Sequence, residues 1–195
     1  YKHVANNKVD DSIYVIVSNY INIVMICNLG ADANGVIASN LVNIFKKEKK
    51  IVAPVSGKLM KLSDVKDEVF ASGMMGIGVA IDPVENIFVA PADGKITLIA
   101  ETKHAFGMQL DNGLEILIHI GLDTALSQGE GFHVLANVGD VVKQGVPIIE
   151  ADFEFFKNKG NTLETPVIIL NSDDYKIELI TDAIKCLAGE TTIMK

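Results

Sequence analysis

The chain contains no arginine and no tryptophan, and all 17 of its basic residues are lysines. Without a guanidinium there is no bidentate clamp, so any phosphate handled here must be met by imidazole, lysine or backbone N–H groups. Positive charge is also in deficit. Twenty-five acidic residues against 17 lysines leave a formal net charge of −8, which argues against a nucleic-acid partner. Cysteine is scarce: Cys27 and Cys186 lie in no redox or metal spacing, which fits a reduced cytoplasm, and no signal peptide is legible. Long apolar runs are missing as well. The stretch "IYVIVSNYINIVMICNL", 13 to 29, is broken by Ser18, Asn19, Asn22 and Asn28. It falls short of the roughly twenty apolar residues of a membrane span, and its Ile and Val density predicts two β-strands turning near Ser18-Asn19. Direct membrane insertion is therefore not expected.

What is present changes character near residue 50. No proline precedes Pro54, and fourteen of the 16 glycines follow residue 50. The lysine-rich "KKEKK" (46–50) marks a solvated join. Ahead of it, "ANGVIASNLVNIF" (33–45) has its apolar residues at helical spacing, so residues 1–50 read as a small strand-strand-helix appendage. Residues 51–195 carry turn signals about every ten residues, among them "VSGK", "PADGK", "DNG" and "KQG". That spacing predicts an all-β, antiparallel sandwich or barrel-sandwich hybrid with short helices. An internal echo, "VAPVSGKL" at 52–59 and "VAPADGKI" at 89–96, suggests two related halves. "GLDTALSQG" has room for a turn of helix after Asp123, and "DDYKIELITDAIKCLAGE" fits helix or strand equally well.

The chemistry centres on "LEILIHIGLDT", 114 to 124, where His119 interrupts an apolar strand. Upstream lies "ETKHAFGMQLDNG", whose "DNG" flanked by apolar stretches is a hairpin signal. With Asn112-Gly113 at the tip, Phe106 faces His119 and His104 faces Gly121. With Asp111-Asn112 at the tip, His104 faces His119 directly. Either register puts Thr102, His104 and His119 on one face. A three-residue loop would separate the histidines unless a bulge, for instance at Gly107, restored the phase. Two imidazoles in contact are more typical of a catalytic or metal site than of a core. His3 and His133 lie outside the hairpin and read as surface residues.

In order, "IVAPVSGKL", "VFASGMMGIGVAI", "VAPADGKI", "ETKHAF", "GLEILIHIGLDT", "GEGF", "VGDVVKQG" and "TPVII" resemble the glucose-type enzyme IIA module of the bacterial sugar phosphotransferase system. The resemblance covers about residues 50 to 195. It implies a cytoplasmic phosphocarrier on an antiparallel β-sandwich, associated peripherally with a membrane transporter. A histidine phosphocarrier protein would donate a phosphoryl group to Nε2 of His119, which would pass it to a cysteine of a transporter IIB domain. His104 matches the second histidine of the family's site, and Thr102 the threonine that orients it. No cofactor is required, although some relatives bind Zn2+ through the two histidines at a regulatory interface, and regulated transporters or kinases are further partners. Phe70, Met74, Met75 and Phe106 are candidates for an apolar docking rim.

The resemblance does not reach residues 1–50, which fit a remnant or flank of a IIB domain. Cys27 in "MICNLGAD" lacks the Cys-x-x-Arg-like setting of a IIB phosphocysteine. The missing initiator methionine fits a chain taken from a longer one. Two rivals share the turn-rich pattern. A biotinyl or lipoyl carrier needs a lysine after "PIIE", where Asp152-Phe153-Glu154 stand instead. A lysostaphin-type zinc peptidase needs a His-x-His pair, which is absent.

Overall fold

The computed structural model describes residues 13–17, 24–28, 50–181 and 185–195. The chain forms two compact units, Tyr1–Glu48 and Lys49–Lys195, divided within the lysine-rich run. In the first, strands β1 (Ile13–Val17) and β2 (Val24–Asn28) pair antiparallel, with Val17 opposite Val24. The turn expected at Ser18-Asn19 and the helix expected over 33–45 lie outside the described residues.

The second unit is an antiparallel β-sandwich, and among the described residues no sheet closes into a barrel. Its main sheet has seven strands in the order β11-β7-β8-β9-β13-β5-β4. These are β4 (Gly57–Lys61), β5 (Ile77–Pro83), β7 (Gly94–Ile99), β8 (Ala105–Leu110), β9 (Glu115–His119), β11 (Val141–Val142) and β13 (Thr165–Ile169). A three-stranded sheet runs β10 (Phe132–Val134), β12 (Pro147–Ala151), β6 (Ile87–Val89). Strands β3 (Ile51–Val52) and β14 (Thr192–Met194) pair separately.

Side-chain alternation along the main sheet sorts its residues between two faces. Val79, Ile81, Phe106, Met108, Ile116, Ile118, Val167 and Ile169 enter the main core, together with Phe88, Ile148 and Ile149 of the smaller sheet. The intervening Ala80 and Ile168 join a second cluster with Leu62, Val65, Phe70 and Leu122. His119, adjacent to Ile118, belongs to this second face.

The two echoed segments, 52–59 and 89–96, make matching backbone contacts. Val52 donates to the Pro91 carbonyl at 2.8 Å, and Val89 donates to the Pro54 carbonyl at 2.7 Å. Ala53 then exchanges bonds with Thr191 and Gly189, as Ala90 does with Val146 and Gly145. The repeat is thus expressed as a local two-fold arrangement of strand–turn–strand units.

Two short helices escape any periodicity argument. Helix α1 (Glu68–Ala71) is capped by the Asp67 carboxylate, which accepts from Val69 and Phe70. Helix α2 (Phe153–Asn158) is capped by Asp152, and the chain leaves it through a left-handed Gly160. Residues Thr124–Ser127 form the expected turn of helix, as a 3-10 turn. The C-terminal segment, open between helix and strand, starts in a 3-10 turn (Ser172–Asp174) and then makes isolated strand-type pairings: Ile180 donates to Ile193, and Cys186 exchanges bonds with Gly57.

Candidate functional site

His119 is the last residue of β9, and His104 stands immediately before the first residue of β8. The β8–β9 connection corrects the sequence-based hairpin. Leu110 donates to Leu114, so Asp111, Asn112 and a left-handed Gly113 form a three-residue loop, and Ala105 rather than His104 or Phe106 faces His119. Uninterrupted alternation would then put His104 on the opposite face. It does not, because the strand has ended: Lys103 is left-handed (φ 58°) and donates to Ala100 in a tight turn that swings His104 out of the strand's phase. The expected bulge lies on the neighbouring strand, between Ile96 and Leu98 opposite Gly107, and has no part in this.

Thr102, His104 and His119 are brought together. The two imidazole centroids are 4.6 Å apart with planes at 70°. Thr102 Oγ1 lies 2.6 Å from His104 Nδ1. His119 Nδ1 lies 2.9 Å from the Gly121 carbonyl oxygen. A carbonyl only accepts, so Nδ1 carries the proton and the Nε2 of a neutral His119 holds a lone pair. Both rings are half-buried, so neither is sealed in the core. Phe70 of α1 closes one flank of His119, ring to ring at 4.8 Å.

Electrostatics keep the pair neutral. Burial and the adjacent His104 push His119 down to about 4, against smaller upward pulls from the Gly121 hydrogen bond and Asp67. Burial also lowers His104. At neutral pH the His119 Nε2 is therefore an unprotonated nucleophile.

The loop after β9 builds the acceptor for Nδ1. Gly121 is left-handed (φ 72°), and a Cβ there would stand 2.6 Å from Thr124 Cγ2 and 2.8 Å from the Thr162 carbonyl oxygen. Thr124 Oγ1 donates to the Ile120 carbonyl at 2.6 Å, and Ile120 N–H donates to the His104 carbonyl at 2.7 Å, linking both histidine segments.

Of the four candidate docking residues, Met74 is 87% exposed and Met75 36%, on the turn after α1. Phe70 is buried, and what it offers is the ring against His119 rather than a rim. Phe106 corrects the expectation outright: it is fully buried in the main core, because the three-residue loop pairs it with Ile118 and turns it inward. Sequence reasoning missed Leu126, 79% exposed on the 3-10 turn after His119, and also the Gly121 carbonyl. His133 is exposed on β10, across from Glu150, and His3 lies outside the described residues.

A zinc ion could find two imidazole ligands here. Among the described residues no group of three or more His, Cys, Asp or Glu side chains is placed to hold a metal. With both Nδ1 atoms engaged, the chain supplies at most two of four tetrahedral positions, and the residues fit only a zinc completed by a partner.

Comparison with known proteins shows this β-sandwich to be a phosphotransferase-system IIA module. The family model described as the phosphoenolpyruvate-dependent sugar phosphotransferase system, EIIA 1, matches residues 49–175, and the chain belongs to that family. It is 43% identical over 148 residues to the PTS system glucose-specific EIIA component of Staphylococcus epidermidis, covering 76% of this chain and 89% of that protein. The protein of the same name from Bacillus cereus is likewise 43% identical over 148 residues, covering 76% and 90%. Glucose permease IIA from Mycoplasma capricolum superposes with a TM-score of 0.71 at 35% identity, over 77% of this chain and 97% of that one. No helix among the described residues is long and apolar enough to cross a membrane.

Proposed function

We propose that this protein is a cytoplasmic phosphocarrier of glucose-type sugar uptake. It accepts a phosphoryl group on His119 Nε2 from a histidine phosphocarrier protein and passes it to a cysteine of a transporter IIB domain. The observation that carries this reading is the 2.9 Å bond from His119 Nδ1 to the Gly121 carbonyl, which leaves Nε2 as the free lone pair beside a second imidazole.

In the first step the Nε2 lone pair attacks the donor's phosphorus, and the donor's N–P bond breaks with the electron pair returning to its imidazole. The His119 ring gains positive charge, which it shares through Nδ1–H with the Gly121 carbonyl. In the second step a cysteine thiolate attacks the phosphorus, and the neutral Nδ1–H imidazole leaves. With the His104 proton on Nε2, Thr102 Oγ1 donates to Nδ1 and the Nε2–H is left for the phosphoryl oxygens. This replaces the missing arginine clamp. The exposed Met74, Met75 and Leu126 suit the burial of a docked partner, which excludes water during transfer. A partner supplying further ligands would turn the two imidazoles into a shared zinc site that blocks transfer, a means of regulation by transporters or kinases.

The test is phosphorylation by phosphoenolpyruvate, its kinase and the donor carrier, followed by an assay for acid-labile, base-stable phosphate. Wild type should take up one phosphate per chain, and His119→Gln none. Stoichiometric labelling of His119→Gln would overturn the assignment.

A further inference from the structure

The peptide between Gly121 and Leu122 is a rigid planar unit with two ends. Its carbonyl accepts the His119 Nδ1–H at 2.9 Å, and its N–H donates to the Thr162 carbonyl at 2.9 Å. The next peptide is held by the same segment, since Asn161 Nδ2 donates to the Leu122 carbonyl at 3.1 Å. Residues 161 and 162 therefore grip two successive peptides of the loop that orients His119. Asn161 is itself anchored, its N–H donating to the Phe156 carbonyl at the end of α2 at 3.0 Å. The fit between the segments is close, because a Cβ on Gly121 would reach within 2.8 Å of the Thr162 oxygen. Within this grip the Asn161 amide is the one contribution made by a side chain; the rest is backbone.

We infer that Asn161 is a positioning residue for the His119 imidazole, acting through the Leu122 and Gly121 peptides to fix the Nδ1–H tautomer. It touches neither ring. Its amide holds the loop so that the Gly121 carbonyl stays aimed at Nδ1 and the reactive lone pair stays on Nε2. The inference rests on the phosphocarrier reading only for the consequence to rate; the tautomer is a property of the unphosphorylated protein.

The experiment compares the 195-residue wild type with Asn161→Asp, which keeps the shape of the side chain but loses its N–H donor, and with Asn161→Gln, which keeps the donor. Ring 15N shifts at neutral pH should show a single Nδ1–H tautomer of His119 in wild type. Asn161→Asp should show an averaged tautomer and slower phosphate uptake, by about threefold to tenfold for one lost hydrogen bond. Asn161→Gln should recover part of both. Wild-type shifts and uptake in a folded Asn161→Asp overturn the inference. If that variant does not fold, wild type decides alone. A through-bond coupling between Asn161 Nδ2 and the Leu122 carbonyl supports the inference, and side-chain amide protons exchanging like those of a free asparagine overturn it. If wild type takes no phosphate while Asn161→Asp still changes the tautomer, the phosphocarrier reading fails and the positioning role stands.

Discussion

Burial and the neighbouring His104 ring bring His119 down to about 4 from an ordinary 6.5. Between those two values the unfolded chain binds a proton at this position that the folded chain refuses, so folding becomes less favourable as pH falls through that window. His119→Gln removes this source of acid sensitivity. Its denaturation midpoint should decline less than that of wild type between pH 6.5 and 4, and parallel declines would contradict the lowered value. The same residue should stay an unprotonated nucleophile in mildly acidic solution. Its partner has a different task. In His104→Gln the nucleophile remains, so phosphate uptake should persist, while onward transfer to the IIB cysteine should slow by about a hundredfold to a thousandfold, the scale of one transition-state donor. Single-turnover transfer measurements separate the two steps, and an unchanged onward rate would remove His104 from the mechanism.

The loop after β9 and the turn before β8 are the elements on which the pair depends. Gly121→Ala would force a side chain into the left-handed region, at about 1–3 kcal/mol, and also into Thr124 and the Thr162 carbonyl. We expect a lower denaturation midpoint together with a disturbed His119 tautomer, both readable in one NMR-monitored titration. A variant matching wild type in both would show that the loop tolerates a Cβ after all. These elements also mark where the sequence was legible. The apolar strand around His119, the turn at Asp111–Gly113 and the echoed segments could be read from composition and period alone. The loop's length could not, and one residue of register decided that Phe106 lies in the core and that Ala105 faces His119. Nor does any local signal announce a lysine in the left-handed region, yet Lys103 is what brings His104 beside His119. Helix α2 went unread because six residues span too few turns to show a period, although its Asp152 cap and Gly160 exit stand in the sequence.

At the scale of the whole chain, the second unit separates stability from chemistry by the two faces of one sheet. The face bearing Phe106, Ile116 and Ile118 packs the main core, while the other carries the smaller cluster around Phe70 and Leu122, with His119 beside it. Reaction on this outer face need not disturb the larger core. On the proposed function, phosphorylation would add about −1.5 to −2 charges to a chain already at −8, and both nitrogens of the His119 ring would then have a defined occupant. Among the described residues, the contacts that orient the pair, from Thr102 and Phe70 to Gly121, Asn161 and Thr162, lie within Lys49–Lys195. A fragment beginning at Lys49 should therefore fold, show the same Nδ1–H tautomer at His119 and accept phosphate from the donor carrier at the rate of the 195-residue chain. Rates measured side by side at equal concentration provide the comparison. A folded fragment with the correct tautomer but a reduced rate would assign residues 1–48 a part in meeting the donor, since the site itself would then be intact.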